Sequence, residues 1–320
     1  MKIASQMRKL GQDGKGVRSP GLISRERSAE AFLRNNTKFV DLMVRHAERL
    51  HSAGHDEKTL RWVRLTGELA WAAHAGRMSD ERLEAIAIDI GRRLEHDRDP
   101  LQLPNARHKH DKQHRRSVLH VATTVLGVGG HTRLLENWIK TDTSAAHSLL
   151  LVDQGAEPIR SKLAERVEES GGHVVALPEG ASMLERARCL RRESCAGYDC
   201  VILHHHPNDA IPLVAFAHDG GPPVGVMNHA DHVFWLGVSI ADLVIEFREF
   251  GAELSRRRRE VRRNFVFPLP LDVSFSGPSR SVARQKLAIP DDQLMVMTMG
   301  GAGKYMPSAR HRFFETAVEF

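Results

Sequence analysis

The stretch from Ser117 to Lys140 constrains the fold more than any other part of the sequence. It reads SVLHVATTVLGVGGHTRLLENWIK, in which β-branched and other apolar residues lead into a glycine-rich turn. Apolar residues then recur from Leu134 to Ile139 at the spacing of a helix. A continuous apolar run is typical of a strand that is buried on both faces of a parallel sheet. The stretch therefore predicts a strand, a turn and a helix, which is the unit of α/β folds.

The glycine turn suits a ligand as well as a bend. Gly129 and Gly130 have no side chains, so the backbone can approach a bound group closely. The N-terminus of the following helix presents N–H groups and the positive end of the helix dipole, which favour an anion. The turn has neither the G-x-G-x-x-G spacing of a dinucleotide site nor the Gly-Lys-Ser/Thr of a Walker loop. Two interpretations stay open here, an anion site and a turn that serves packing alone.

Strands and helices alternate in the sequence that follows. This repetition predicts a doubly wound parallel sheet over residues 117–275, with ligands bound beyond the carboxyl ends of the strands. Residues 276–320 begin a second lobe of the same Rossmann-like kind, with a helix over Arg280–Ala288, a strand over Gln293–Met299 and another glycine turn. Because one βα unit cannot bury both of its faces, we expect this second lobe to be incomplete.

The N-terminal third has a different pattern. Residues 1–24 are basic and poor in large apolar groups, which predicts a disordered tail. Residues 25–99 carry apolar residues at helical spacing and predict a small helical region of three helices. Residues 100–116 are polar, basic and bounded by proline, as in a linker.

Composition narrows the class of protein. The formal net charge is +6, which suits an acidic partner, although no nucleic-acid motif is present and nucleic acid is not an expected partner. The three cysteines, Cys189, Cys195 and Cys200, lack C-x-x-C spacing and cannot all pair, which indicates reduced thiols in a cytoplasmic protein. No apolar run reaches the length of a transmembrane helix.

Several short motifs, in their order along the chain, resemble those of GT-B glycosyltransferases of the retaining, nucleotide-sugar-dependent kind. They are VGGH, HHHPNDA, VMNHADH, ADLVIEFREFGAEL and QKLAIPDDQLMVMTMGGAGK. The resemblance covers residues 117–320. It implies an N-terminal Rossmann-like lobe, a truncated C-terminal donor lobe, and transfer of a sugar from a nucleotide-sugar donor to a glycan or lipid-linked acceptor. It implies no cofactor and no metal.

The resemblance also implies roles for individual residues. His229 would hydrogen-bond the donor sugar and serve as the catalytic histidine, while Gly129 and Gly130 would admit the donor diphosphate. Where the family has Gly-Arg, this sequence has Gly300 followed by glycine, so Lys304 is the nearby basic substitute. The acceptor or sugar pocket would be formed by His131, His206, Asn208 and Asp231.

Two other functions stay open from the sequence. His204 and His206 share one face of a strand, and together with His229 and Asp209 they could form the metal site of a phosphoester hydrolase. Bound zinc, iron or manganese would favour that function. A non-catalytic binding lobe is the remaining alternative.

A basic run near the end of the first lobe suggests a surface for anionic lipid. Six arginines lie within eight residues on a predicted helix, and they are Arg256, Arg257, Arg258, Arg259, Arg262 and Arg263. A solvated helix face is the commonest explanation of such a run. The alternative is a peripheral contact with the inner face of the membrane, which would suit an enzyme that acts on a lipid-linked acceptor.

Overall fold

The computed structural model describes residues 20–94, 115–127, 129–269 and 277–298, together with Gly300, Tyr305, Phe314 and Ala317, and side chains from residue 28 onward. The chain divides into two compact units, residues 1–271 and residues 272–320, which we describe separately. Residues 1–19 of the predicted tail and most of the predicted linker lie outside the described residues. The domain boundaries derived from the sequence stay predictions.

In the first unit, the described residues form a seven-stranded sheet in which every pairing is parallel. The strand order is β3-β2-β1-β4-β5-β6-β7. The strands are β1 Arg116–Ala122, β2 Ala145–Leu151, β3 Val174–Ala176, β4 Cys200–His204, β5 Val224–Met227, β6 Leu243–Glu246 and β7 Asn264–Val266. This order is that of a doubly wound Rossmann-like sheet, and it confirms the predicted α/β fold class.

Helices connect the strands and precede the sheet. Those of the first unit are α1 Pro20–Ser52, α2 Asp56–Ala72, α3 Glu81–Arg92, α4 Gly130–Thr141, α5 Ser161–Glu169, α6 Met183–Ser194, α7 Ile211–Ala215 and α8 Glu249–Arg259. The first three are the helices predicted for the N-terminal region, although α1 begins within the predicted tail. Among the described residues, no helix is both long and apolar enough to cross a bilayer.

The N-terminal helices pack against the sheet and its helices. A single hydrophobic cluster joins Leu60 of α2 and Leu83 of α3 to Leu119 of β1, Val201 of β4 and Val214 of α7. All five side chains are buried. Since burial of each large aliphatic side chain contributes about 1.5–3 kcal/mol, the helical region and the sheet stabilise each other.

Two buried charged side chains fix α3 in this arrangement. The carboxylate of Glu84 accepts hydrogen bonds from the backbone N–H groups of Gly237 and Ser239, at 2.9 and 2.7 Å. The guanidinium of Arg191 on α6 donates to the carbonyls of Gly91 and Val214, at 2.8 and 2.7 Å. Each group is buried but hydrogen-bonded, which avoids the cost of an unsatisfied polar atom.

Gly91 of α3 packs directly against the backbone of α7 at Val214. A Cβ atom at this position would clash with the carbonyl oxygen of Val214 and would lie 2.6 Å from the Cβ of Ala217. We therefore expect Gly91→Ala to lower the free energy of unfolding by about 2–3 kcal/mol, because backbone must move to admit the methyl group. Urea unfolding measures the change. Gly127→Ala is the matched control, since a Cβ there meets nothing within 4 Å; equal stability of the two variants would contradict the close packing.

In the second unit, the described residues contain the predicted helix but not the predicted strand. Helix α9 extends over Arg280–Lys286, close to the predicted helix, and begins after an N-cap hydrogen bond from the backbone N–H of Val282 to Ser279 Oγ. The strand predicted over Gln293–Met299 is wrong for residues 293–298, which are described and contain no strand. The side chain of Val296 is 90% exposed, so no partner strand or helix covers it among the described residues. An apolar segment whose side chains are not covered gains no burial free energy from adopting a strand conformation.

Candidate ligand site at the carboxyl edge of the sheet

The strand order reverses between β1 and β4, and ligands of doubly wound sheets bind beside this point. Thr123, which follows β1, connects the two strand ends. Its hydroxyl donates to Asp209 Oδ2 at 2.7 Å and accepts from the backbone N–H of His206 at 2.8 Å. Asp209 is thereby engaged in holding the loop after β4 against β1, which leaves it unsuited to the metal-ligand role considered from the sequence.

The glycine turn after β1 leads directly into α4. The side chain of Gln154 accepts from the backbone N–H of Val125 at 2.9 Å and donates to its carbonyl at 3.0 Å, which anchors the turn. Gly129 is the N-cap residue of α4, and no side chain caps this helix among the described residues. A Cβ atom at Gly129 or Gly130 would meet nothing within 4 Å. Within the part of the chain that the structure describes, the turn thus has room for a further group beside a helix N-terminus, which is the kind of place that attracts an anion.

Two histidines stack beside this helix N-terminus. His131, on the first turn of α4, and His229, which follows β5, have ring centroids 3.8 Å apart and planes inclined by 28°. Partial removal of the ring from water lowers the pKa of His131, although the residue as a whole is exposed, and the nearby His206 lowers it further. Burial also lowers the pKa of His229, as do the neighbouring imidazoles, first among them His204. Both rings are therefore neutral near pH 7.

Four histidine side chains, of which His229 is the first, form a continuous row. We call this row the histidine chain; it comprises His229, His204, His120 and His147. His229 Nε2 lies 3.2 Å from His204 Nδ1, and His204 Nε2 lies 3.1 Å from His120 Nδ1. His120 Nε2 lies 3.0 Å from His147 Nδ1, and His147 Nε2 lies 3.1 Å from the carbonyl oxygen of Asp142. His204, His120 and His147 thus use both ring nitrogens, whereas no described residue hydrogen-bonds Nδ1 of His229.

Strand register explains why these rings meet. His120 of β1 is paired with Leu149 of β2 and with Ile202 of β4. His147 and His204 lie two residues from these partners, so all three side chains project from the same face of the sheet. The row therefore runs diagonally across β2, β1 and β4 and reaches the loop after β5.

The histidine chain is enclosed by α4 and shielded from solvent. The indole of Trp138 makes an edge-on contact with His120, at 5.4 Å between centroids, and a second with His204, at 6.2 Å. His120 is fully buried and His204 is 3% exposed. Burial lowers the pKa of both rings well below the usual value, and the adjacent imidazoles lower it further. The rings are held in their neutral forms.

The geometry is incompatible with the proposed metal site of a phosphoester hydrolase. Nitrogens of His204 and His229 face each other at hydrogen-bonding distance, so they do not converge on a common cation. Across the described ranges, no group of three or more His, Cys, Asp or Glu side chains is arranged to hold a metal ion. The hydrolase alternative, which needed His204, His206 and His229 as ligands, is therefore not supported.

The other candidate residues are placed in different surroundings. Asp231 forms a two-point ion pair with Arg248, with distances of 2.7 and 2.9 Å, and this hydrogen bonding lowers the pKa of Asp231. Asn208 lies against Gly67 of α2, since a Cβ on Gly67 would be 3.5 Å from the Cβ of Asn208. Lys304 lies outside the described residues.

The basic run is only partly a surface feature. Helix α8 ends at Arg259, and Glu260 adopts a left-handed conformation there, so the predicted helix does not continue to Arg263. Arg259 is buried, donates to the carbonyl of Asp231 at 3.0 Å and lies over the ring of Trp235 at 5.2 Å. Including Arg259 in a lipid-binding surface was therefore wrong, because its guanidinium is engaged inside the fold.

Two histidines of the row were not singled out from the sequence. His120 and His147 each interrupt an apolar strand, in VLHVA and AAHSL. A single ionisable ring in a strand buried on both faces requires a buried hydrogen-bond partner, and this was the available signal. The sequence also gave no reason to pair Asn228 with Glu246, whose carboxylate accepts from Asn228 Nδ2 at 3.0 and 3.1 Å.

Comparison with protein-family models and with curated proteins gives no match. Among solved structures, the chain is similar to a mutant O-GlcNAc transferase from Thermobaculum terrenum, with a TM-score of 0.30 and 16% identity. The alignment covers 67% of this chain and 42% of that chain, so the chain spans about two-fifths of the length of the structure it matches. A similarity at this level assigns neither a family nor an activity.

Proposed function

We propose that the chain is a glycosyltransferase of the GT-B type that moves a sugar from a nucleotide-sugar donor to a glycan or lipid-linked acceptor. The observation that carries this proposal is the uncapped N-terminus of α4 at the reversal of strand order, with the stacked pair of His131 and His229 beside it. A helix N-terminus attracts a diphosphate, and neutral imidazoles can hydrogen-bond sugar hydroxyls.

The proposed roles follow from this arrangement and from the sequence resemblance. The open turn at Gly129 and Gly130 admits the diphosphate, and Lys304 supplies positive charge to it. His229 contacts the sugar that is transferred. The resemblance assigns the acceptor or sugar pocket to His131, His206, Asn208 and Asp231, of which Asp231 also pairs with Arg248 and Asn208 also lies against α2. Catalysis then comes mainly from positioning and from stabilisation of the leaving diphosphate, with no cofactor and no metal.

Gly130→Asp tests the diphosphate site without disturbing the helix. A carboxylate at the first position of α4 favours the helix dipole but repels a bound diphosphate. We expect the affinity for nucleoside diphosphates to fall by about tenfold or more, since each factor of ten requires only about 1.4 kcal/mol. Titration calorimetry with UDP, GDP and ADP measures this affinity.

Ser161→Asp is the matched control, because Ser161 is the first residue of α5 and that helix also lacks a side-chain cap. This control should bind nucleotides as the unmodified protein does. If the Gly130→Asp and unmodified proteins bind nucleoside diphosphates with equal affinity, the diphosphate does not bind at the N-terminus of α4. Transfer from a panel of nucleotide sugars, followed by mass spectrometry of the products, then identifies the donor.

We also propose that the exposed part of the basic run contacts anionic lipid at the inner face of the membrane. The side chains that remain available on this surface are Arg256, Arg257, Arg258, Arg262 and Arg263, all of which are exposed. Some of them have intramolecular partners; for example, Arg257 pairs with Glu253 at 2.9 Å. Such exposed pairs are weak and can exchange for lipid phosphates.

Replacing two of these arginines should weaken binding to anionic vesicles. Each arginine near an anionic surface contributes about 1 kcal/mol, so Arg262→Ala with Arg263→Ala should lower partitioning by roughly thirtyfold. Co-sedimentation with phosphatidylserine vesicles at low salt measures this. The control pair is Arg34→Ala with Arg61→Ala, on exposed side chains of α1 and α2. Equal binding to neutral vesicles, or no loss of binding at high salt, would contradict an electrostatic contact.

A further inference from the structure

We propose that the histidine chain is a proton relay, which carries a proton from the ligand edge of the sheet at His229 to Asp142 at its opposite edge. The geometry points to this because the four rings form an unbroken series of hydrogen bonds between these two ends. The use of the relay in sugar transfer rests on the proposed function, whereas the relay itself rests on the contacts of the four rings.

The end of the chain at Asp142 sets the tautomer of every ring. A backbone carbonyl only accepts hydrogen bonds, so His147 Nε2 must carry a hydrogen to bond the carbonyl of Asp142. A neutral ring has one N–H, so His147 Nδ1 accepts and His120 Nε2 donates. By the same argument, His204 Nε2 donates to His120 Nδ1, and His229 Nε2 donates to His204 Nδ1. All four rings therefore carry their hydrogen on Nε2.

This order leaves Nδ1 of His229 as an unprotonated nitrogen. No described residue hydrogen-bonds it, and His229 lies at the carboxyl edge, where its ring stacks on His131. Nδ1 of His229 is thus a base that faces the place where a ligand binds. Its other nitrogen is already committed as a donor to His204, which makes the base able to pass a proton inward.

The proton balance of one transfer is complete within the chain. Nδ1 of His229 forms a bond to the proton that an attacking hydroxyl releases, and Nε2 of His229 gives its own proton to Nδ1 of His204. His204 then protonates His120, and His120 protonates His147, in each case from Nε2 to Nδ1. His147 releases its Nε2 proton to the carboxylate of Asp142, 3.5 Å away, and from there to water. Five protons each move by one step, no ring stays charged, and the four rings end with hydrogen on Nδ1 instead of Nε2.

The position of Asp142 makes the relay useful. Asp142 follows the last residue of α4 and precedes β2, and a helix that connects parallel strands runs antiparallel to them. Its carboxylate is 30% exposed, at the edge opposite the ligand. The relay therefore removes a proton from the site without opening the site to water, while Trp138 covers the rings along the way.

Nitrogen-15 NMR of histidine-labelled protein tests the hydrogen-bond order directly, without any substrate. At a pH above the range in which free histidine titrates, we expect His229, His204, His120 and His147 to be Nε2–H tautomers. We also expect scalar couplings across each N–H···N hydrogen bond. Hydrogen on Nδ1 of His120 or His204, or the absence of these couplings, would overturn the relay.

His120→Phe breaks the chain at a residue that does not touch His229. The phenyl ring cannot accept from His204, so Asp142 no longer determines the tautomers beyond the break. We expect His229 to change from one tautomer to a mixture of both. Asp142→Asn is the control, because it keeps the backbone carbonyl that accepts from His147, and His229 should stay an Nε2–H tautomer. If His120→Phe does not fold, His147→Phe removes the next acceptor and should have the same effect on His229; an unchanged His229 in the folded variant contradicts the relay.

Activity measurements then separate the relay from the proposed function. In a transfer assay we expect His120→Phe to lower kcat with little change in KM, since the break affects proton removal and not donor contacts. Tautomer coupling without sugar transfer would leave the relay in place and refute the glycosyltransferase. Sugar transfer without tautomer coupling would refute the relay and leave the glycosyltransferase in place.

Discussion

Between about pH 6.5 and about pH 5, the free energy of unfolding should fall by about 3–4 kcal/mol for each pH unit. The reason is that burial lowers the pKa of His120, His204 and His229 in the folded protein, so that only the unfolded chain takes up protons in this range. Each such ring contributes about 1.4 kcal/mol per pH unit below the ordinary histidine pKa of about 6.5. Stability is fully present above that pH and is lost as the pH falls.

Burial also lowers the pKa of three further histidines, which makes the slope steeper; they are His131, His147 and His205. Two carboxyl groups change the slope in known directions. Burial raises the pKa of Glu84, which contributes a slope of opposite sign, of at most about 1.4 kcal/mol per pH unit. Hydrogen bonds from Arg248 lower the pKa of Asp231, so the stability that Asp231 contributes is lost only at a lower pH than this range. A loss of about 5 kcal/mol by pH 5 is comparable to the whole stability of many domains, so we expect acid unfolding there.

Urea unfolding at a series of pH values measures this slope. The variant His120→Phe removes one titrating ring and should reduce the slope by about 1.4 kcal/mol per pH unit. The control is His55→Ala, which removes an exposed histidine at the N-cap of α2 that makes no side-chain cap hydrogen bond. A free energy of unfolding that stays constant from about pH 7 to about pH 5 would show that the buried rings do not titrate as argued.

The variant His229→Ala should lower the rate of sugar transfer by about 30-fold to 1000-fold and leave the affinity for nucleoside diphosphate nearly unchanged. A positioned hydrogen bond that strengthens in the transition state contributes roughly 2–4 kcal/mol, which corresponds to this range of rates. The diphosphate is expected at the N-terminus of α4, so the loss of an imidazole beside it affects the chemical step more than nucleotide binding.

Single-turnover transfer and melting temperature on the same preparation distinguish a catalytic from a structural histidine. His229 bonds His204 and stacks on His131, so a purely structural role predicts a lower melting temperature and unchanged turnover of the folded fraction. The exposed His55 is again the matched control, and His55→Ala should transfer sugar at the rate of the unmodified protein. If folded His229→Ala transfers sugar at the rate of the unmodified protein, His229 is not part of the active site.

The sequence determined the fold class because its signals are local. The apolar run before Gly127, the turn at Gly129 and Gly130 and the helix that follows are encoded within about two dozen residues. Repetition of such units predicts a parallel sheet, since connections between parallel strands need a helix. The same kind of local pattern wrongly predicted a strand over residues 293–298. Strand-forming residues there have no neighbouring strand to pair with among the described residues.

The candidate site was only partly contained in the sequence. His131, His206 and His229 follow strands or begin helices, so their placement at the carboxyl edge followed from the predicted topology. The inclusion of Arg259 in the basic surface failed because helical position does not reveal which side chain of a run is turned inward. Its burial under the carbonyls that follow β5 depends on the exact end of α8.

Only the tertiary structure decided how the histidines interact. His120, His147 and His204 are separated by dozens of residues in the sequence, and each alone is a polar ring in an apolar strand. Their meeting depends on the order β2-β1-β4 and on a register that shifts neighbouring rings by two residues. A slip of one residue would turn a ring to the other face of the sheet, so strand pairing, which is non-local, determines whether these rings hydrogen-bond one another.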